Sequence, residues 1–542
     1  MARSVNLGRA LGSVGGLTLA SRVLGLVRDS LFARFVGAGF ASDAFLVAFR
    51  LPNLFRALFA EGAFASAFIP MFNKKVADPD GRGLPDGLAF AEQAQSVLLP
   101  ILLLMTLAME LAAWPVVWLL WGGSGGVSDG QFAFVVALSR YTFPYLLLIS
   151  LVSLLGGILN SLGRFWVNAA APILLNLTLI AALLLFHTAD PLVTARNQAI
   201  AVTVSGALQL AWLWQNCRAN GVRLRLRMPR LDPEVKRLLS LVWPAAAGTG
   251  AVQINLVIST ALARSLLPSG SVSYIYFADR INQLPLGLIG IGLGTILLPT
   301  ISHQLGRGAD GEAMETQNRG MELALLLTLP ATVALITCGT PIVAALFEHG
   351  RFDPQDAMRT VQALAAFSIG LPSYILVKVL TPGFYARGDT RTPVRFAMIS
   401  MAVNLALNLA LIRPLGHMGP PLATALASTV NVALLHRTLA KRGHFAADVQ
   451  LRRRAPRVAL AALLMGGVLW FLSDRFQPYV TAPGLSRWIA LVVLVATGVI
   501  IYGGATFLFG AFRLADLRRL IRRRRVEGGD DAPSATPKLR AD

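Results

Sequence analysis

The sequence predicts an all-α polytopic membrane protein with about fourteen transmembrane helices, built as two six-helix lobes in parallel repeat plus two C-terminal helices. Three observations carry this: an apolar composition, recurring apolar runs of membrane length, and an internal repeat. Of 542 residues, 55% are hydrophobic and 14% charged, far from the balance of a soluble globular chain. A spanning helix needs about 20 mostly apolar residues. Uncharged runs of that kind cover 141–163, 165–188, 197–217, 238–263, 281–306, 323–347, 414–436 and 488–512. Shorter or charge-interrupted segments at 10–36, 40–73, 92–121, 357–385, 394–412 and 457–473 fill the gaps and complete the expected set.

A net charge of +21 raises the question of nucleic acid, and its distribution argues against that partner. Lys and Arg concentrate in alternate loops, with 218–237, 437–457 and 513–525 supplying most of the excess, whereas the 121–130 loop has none. Basic loops stay cytoplasmic, so the expected orientation is N-in and C-in. All nine Trp lie near expected span ends, as Trp114, Trp118, Trp121, Trp212 and Trp214 do, which suits interfacial anchoring. Arg3 and Arg9 precede only a weakly apolar stretch with no small-residue cleavage site, so no cleaved signal peptide is expected. Cys217 and Cys338 are too few and too far apart for a disulfide framework or a metal site. Residues 513–542 read as a basic cytoplasmic tail, partly disordered.

The repeat is carried by residues that Leu-rich helices do not supply freely. AFRLPNL (48–54) aligns with ADRINQL (278–284), pairing Arg50 with Arg280 and Gly62 with Gly292 at an offset of 230. Pro144 then matches Pro372, Arg164 matches Arg391 and Asn176 matches Asn404 at offsets of 227 or 228. Six spans per repeat is an even number, so both lobes share one orientation and a substrate cavity is expected between them. Residues 1–225 form the first lobe, 230–445 the second, and 455–512 the additional pair. Pro52, Pro144, Pro244, Pro285 and Pro372, with the glycines of 287–294, are expected to kink or loosen helices where lobes move.

Charges inside spans are the functional signal. An Arg or Lys at the bilayer centre costs roughly 2.5–3.5 kcal/mol on insertion scales, yet Arg22, Arg28, Arg34, Arg50, Arg56, Arg140, Arg280 and Lys378 fall within spans. Arg34 and Arg140 lie near span ends and reach the interface. The others face Asp29, Asp43, Glu61 and Asp279. Asp43 with Arg50, and Arg22 with Asp29, are seven apart and share a helical face, so both pairs are expected to form. Basic groups outnumber these carboxylates, which leaves a cationic cavity suited to an anion. Arginine fits phosphate best, because its planar guanidinium donates paired hydrogen bonds and stays charged when partly desolvated. Arg22, Arg28 and Arg34 are six apart and point in different directions on an ideal helix; Arg22 and Arg28 converge only if Gly25 permits a bend.

Long segments carry a family resemblance: SRVLGLVRD (21–29), GAGFASDAFLVAFRLPNLFRALFAEGAFASAFIP (37–70), SGSVSYIYFADR (269–280), LGTILLPTIS (293–302) and VKVLTPGFYARGDTRTPV (377–394). With their in-membrane charges they resemble the MurJ/MviN family, lipid II flippases within the multidrug/oligosaccharidyl-lipid/polysaccharide exporter superfamily, over the chain to about residue 510. The resemblance implies fourteen spans in the bacterial cytoplasmic (inner) membrane and a cationic cavity that carries lipid II, the polyprenyl-diphosphate-linked disaccharide pentapeptide, to the outer leaflet. It also implies substrate-binding roles for Arg22, Arg28, Arg56, Arg280 and Asp43. Glu61, Asp279, Asp29, Arg50 and Lys378 are supporting residues, the first two through matched motifs. Membrane lipids and the cell-wall synthesis machinery follow as partners. The chain departs from many relatives where Arg56 is followed by Ala57 in place of a second arginine. Some relatives bind sodium through acidic and amide groups of the seventh and eleventh spans; here 238–263 has no carboxylate, although Asn404 and Asn408 are present. Sodium coupling is therefore doubtful, no other cofactor or metal is expected, and the membrane potential is a candidate driver.

Two alternatives stay open from the residues. A flippase for another polyprenyl-linked glycan differs only in substrate. An ion-coupled multidrug exporter for cationic drugs calls for an acidic, aromatic cavity, where this one is basic. A membrane enzyme is not expected, since no Walker loop, HExxH or long external loop occurs.

Overall fold

In the computed structural model, the structure describes residues 7–59, 63–78, 80–121, 123, 128–481 and 484–511. Glu61, the side chain of Arg56 and the tail from residue 512 lie outside the described residues. Among the described residues all regular structure is helical, apart from connecting turns. This is what hydrocarbon demands of a chain that must satisfy its own backbone polar groups. The first half contains α1 (Leu7–Val36), α2 (Phe40–Phe59), α3 (Ala63–Val76), α4 (Leu84–Leu111), α5 (Ala113–Trp121), α6 (Asp129–Thr142), α7 (Tyr145–Ser161), α8 (Phe165–Leu185) and α9 (Pro191–Ala219). The second contains α10 (Pro233–Leu266), α11 (Ser271–Gly306), α12 (Asp310–Thr337), α13 (Gly339–Phe347), α14 (Pro354–Ile369), α15 (Leu371–Tyr385), α16 (Arg391–Leu415) and α17 (Gly419–Lys441), followed by α18 (Val449–Thr481) and α19 (Leu485–Leu508). Among the described residues, nine helical stretches are long and apolar enough to cross a membrane.

Two of the prolines within apolar runs sit at helix joints. Pro144 sits between α6 and α7, and Pro372 opens α15 directly after Gly370, where α14 ends. Proline lacks the N–H that would continue the ladder, so each apolar run breaks into two stacked helices. Within the first half α1 packs on α8, and α9 on α7 and α8; within the second, α11 packs on α12, α14 and α15, and α16 on α17. The halves meet where α10 lies against α2, α3 and α5, and where α1 touches α11 and α13.

Helices α18 and α19 pack on each other and on α12 and α13. Ion pairs hold the α18 end in place: Arg319 of α12 pairs with Glu322 and Asp448, and Arg454 of α18 pairs with Glu322.

One end of the bundle is sealed by backbone. Arg351 N–H donates to Arg34 C=O at 3.0 Å, joining the α13–α14 turn to the end of α1. Gly37, at φ +77°, lies so close that a Cβ there would sit 2.9 Å from the Arg351 carbonyl oxygen, and only glycine combines that conformation with that approach. Ser30 Oγ adds a bond to the Leu346 carbonyl at 2.5 Å.

At the opposite end Asp389, in the α15–α16 loop, accepts from Arg442 at 2.6 Å and from the Thr392 hydroxyl and N–H at 2.6 and 2.9 Å. The Arg442 guanidinium and the two Thr392 donors hold its carboxyl well below the usual aspartate range. A depressed folded-state pKa contributes stability above the unfolded value and loses it as protons bind. The stabilisation is therefore complete above about pH 4 and declines as pH falls toward the folded pKa. Asp389→Asn should remove that acid-side decline, as read from thermal unfolding midpoints between about pH 3 and 6.

Candidate functional site

A cavity of about 590 Å³ opens between α1, α7, α8 and α11, with α2 and α9 contributing to its wall, a volume within the range of ligand sites. Arg22, Arg28 and Asp29 enter it from α1, Asn176 from α8, and Arg280 and Gln283 from α11. Polar amides Asn53, Asn160, Asn168 and Gln209 line the remainder with apolar side chains between them.

The buried end is a charged network that crosses the two halves. Arg28 and Asp29, only 8% and 2% exposed, form an ion pair in which Arg28 donates twice to Asp29 Oδ1, at 2.9 and 2.7 Å. Arg28 Nη1 also donates to Asn176 Oδ1 at 3.0 Å, and the Asn176 amide donates back to the Ser21 carbonyl at 2.8 Å. From α11, Arg280 Nε lies 3.1 Å from Asp29 Oδ2. Tyr276, one helical turn before Arg280, accepts from Arg280 at 2.9 Å and donates to Asp29 Oδ1 at 3.1 Å. The Arg280 guanidinium lies 4.8 Å from the Tyr276 ring centroid, a cation–π contact. One carboxylate thus serves two guanidinium groups. Among the described residues, neither Asp29 Oδ2 nor Arg280 Nε has an aligned hydrogen bond. One buried and one partly exposed cation sharing one anion favour a further negative charge.

Arg22 lies at the exposed mouth. Its guanidinium rests against Gly287 of α11 and makes one long bond, 3.4 Å, to the Gln283 carbonyl. Helix α1 runs through Gly25 as one element, and the two arginines reach the same cavity by side-chain length: Arg28 inward, Arg22 across the mouth.

Several expectations are corrected. Asp43 is not the counter-ion of the cavity arginines. Fully buried, it accepts from Gly270 N–H at 2.7 Å and from Ser273 N–H and Oγ at 2.9 and 2.6 Å. Helix α11 has no side-chain cap of its own, so Asp43 caps it from α2 by satisfying two of the N–H groups that a helix start leaves open. The expected pairs Asp43–Arg50 and Arg22–Asp29 do not form among the described residues. Arg50 donates to Thr260 Oγ1 of α10 at 2.7 Å, and Asp29 is taken by Arg28 and Arg280. Helical spacing brings side chains onto one face, but tertiary partners decide which of them pair.

Asp279 accepts from Gln283 at 2.5 Å, and Lys378 of α15 packs on Gly290 of α11. Neither residue, nor Arg50 or Asp43, lines this cavity. Sequence reasoning missed Tyr276, whose only signal was its place four residues before Arg280. It noted Asn176 as a repeat match without assigning it to the site.

A second polar cluster joins α10, α16 and α17. Asn404 Oδ1 accepts from Asn255 and Asn408 at 3.0 Å each, Asn408 donates to Ser259 at 3.2 Å, and Asn404 donates to Thr424 at 3.2 Å. Its members are amides and hydroxyls, and among the described residues Asn408 Oδ1 has no hydrogen-bond partner.

Known proteins resemble this chain over most of its length. The family model described as lipid II flippase MurJ matches residues 32–488. A Rhizobium tropici protein described as a probable lipid II flippase MurJ is 41% identical over 526 residues, covering 96% of this chain and 97% of its own length. The fold resembles a solved lipid II flippase MurJ in an inward closed conformation, with a TM-score of 0.75 and 24% identity over 94% of this chain and 99% of that one. It also resembles an inward-facing multidrug resistance transporter of the MATE family in the MOP superfamily, with a TM-score of 0.63 and 16% identity over 79% of this chain and 97% of that one. Two-fifths identity across nearly the whole length, with a family match spanning both halves, places this chain in the lipid II flippase MurJ family.

Proposed function

We propose that this chain moves lipid II across the bacterial cytoplasmic membrane, from inner to outer leaflet, by alternating access of the Arg28–Arg280 cavity. The observation that carries the reading is the single buried Asp29 carboxylate shared by two arginines of opposite halves. A diphosphate supplies the missing negative charge, and its oxygens match the guanidinium fork. Arg22 at the mouth receives the headgroup first, and Arg28 and Arg280 then hold the diphosphate while the prenyl chain stays in lipid. Binding draws both guanidinium groups from Asp29 and Tyr276, which loosens the contact between α1 and α11. On release the internal pairs reform.

Arg56 and Glu61, from the matched motif, extend this set in the same reading. The chain sits N-in and C-in with fourteen spans. It acts as a transporter with no chemical step of its own, supplying lipid II to the cell-wall synthesis machinery. A multidrug exporter fits less well, because the cavity's ionic groups favour anions.

The driver in this reading is the membrane potential. The Asn255–Asn404–Asn408 cluster supports that choice, since it offers amides and hydroxyls where a strongly held cation wants carboxylate. Purified full-length protein reconstituted with labelled lipid II should transfer it faster under a potential of about 100 mV, worth about 2.3 kcal/mol per charge moved. A sodium gradient alone should change the rate less than twofold. Sodium-dependent transfer without a potential effect would reverse the assignment of the driver, and no transfer under any gradient would overturn the function.

A further inference from the structure

The connection between the halves, residues 220–232, has a pattern that a plain linker does not need. It alternates Arg223, Leu224, Arg225, Leu226, Arg227 and Met228, followed by Arg230 and Leu231, and carries neither helix nor turn over 222–232. In extended chain, alternate residues share a face. Val222 is buried and Leu224 half-buried, but beyond them on the same face Leu226 and Met228 stand 70% and 84% exposed.

The strip is nevertheless held in place. Glu92, buried on α4, accepts from Arg225 N–H at 3.0 Å and pairs with Arg227 Nε at 2.7 Å. Arg223 and Arg230 are exposed, and neither pairs with an acid among the described residues. Its height relative to a bilayer is set by α9, which ends just before it. There Trp214 is exposed and Arg218 stacks on its ring at 4.6 Å, the arrangement of an aromatic and a base at a membrane–water interface.

We propose that residues 222–231 lie in the membrane interface and bind anionic phospholipid headgroups, with Leu226 and Met228 in the acyl boundary and the arginines at the phosphates. A lipid surface offers both complements at once, apolar on one side and negative on the other. A solvated charge run would have no use for the alternating apolar face. Because Glu92 fixes the strip to α4 and Pro233 opens α10 directly after it, lipid binding here anchors the joint about which the two halves move.

The full-length protein offers a clean probe, since Cys217 and Cys338 are both buried. Met228→Cys, labelled with an environment-sensitive fluorophore, is reconstituted into vesicles containing brominated phosphatidylglycerol or, at the same mole fraction, brominated phosphatidylcholine. Quenching is expected from both lipids, at least threefold stronger from phosphatidylglycerol, because arginine is attracted to an anionic surface. A variant with Arg223→Gln and Arg230→Gln, which spares the Glu92 contacts, should bring that ratio to about one while overall quenching persists. A label that stays water-exposed and unquenched overturns the proposal and turns the strip toward a soluble partner. Equal quenching by both lipids in the parent protein overturns headgroup recognition. Lipid II transfer by the same samples reports that the protein is folded, independently of either result.

Discussion

Arg28→Ala should abolish transfer of lipid II in reconstituted vesicles, with a loss of at least about 100-fold, while leaving the amount of protein in the membrane unchanged. The size follows from the network. Arg28 spends four hydrogen bonds on Asp29, Asn176 and Tyr276, and charge-assisted bonds are worth about 1.5–3 kcal/mol each. Losing two of them to a diphosphate is enough for a hundredfold, at about 1.4 kcal/mol per tenfold. The fold survives because Asp29 keeps Arg280 and Tyr276. Arg28→Lys restores charge without the fork and should recover only a small part of the rate. Arg280→Ala should match Arg28→Ala, since each leaves one guanidinium at the carboxylate. Transfer by either alanine variant at the parental rate would remove the proposed site.

Asp43→Ala has a large effect of another kind. It strands the N–H groups of Gly270 and Ser273, both bound to this carboxylate in a buried position. An unsatisfied buried group costs about 1–3 kcal/mol, so the variant should lose roughly 2–6 kcal/mol of stability, seen as a lower unfolding midpoint in detergent. Binding of undecaprenyl diphosphate, measured well below that midpoint, should be retained, because Asp43 does not line the cavity. Arg28→Ala should show the reverse: binding lost and the midpoint kept. If Asp43→Ala lost binding with its midpoint intact, the residue would belong to the substrate site as the sequence had suggested.

How much of this could be read from the chain alone differs from residue to residue. The joints at Pro144 and Pro372 were legible, because proline acts on its own helix. The cavity arginines were legible as a class, since a base within an apolar run is costly wherever the helix packs. Which acid each base meets was not. Asp29 and Arg280 are separated by about 250 residues, and no spacing rule links them. Asp43 looked like a counter-ion by its helical register with Arg50, yet its nearest needs were those of a distant helix end. Tyr276 carries no charge, so its place four residues before Arg280 was its only signal.

By itself the sequence determined an all-helical membrane protein, the cost of its buried bases and the family it belongs to. These depend on local hydrophobicity, local backbone chemistry and lengths of matched residues. Only the tertiary structure decided that Asp29, not Asp43, sits between the arginines, and that the network joins α1 to α11. Hydrogen bonds and ion pairs act over about 3 Å, so their partners are settled by packing of helices far apart in the chain.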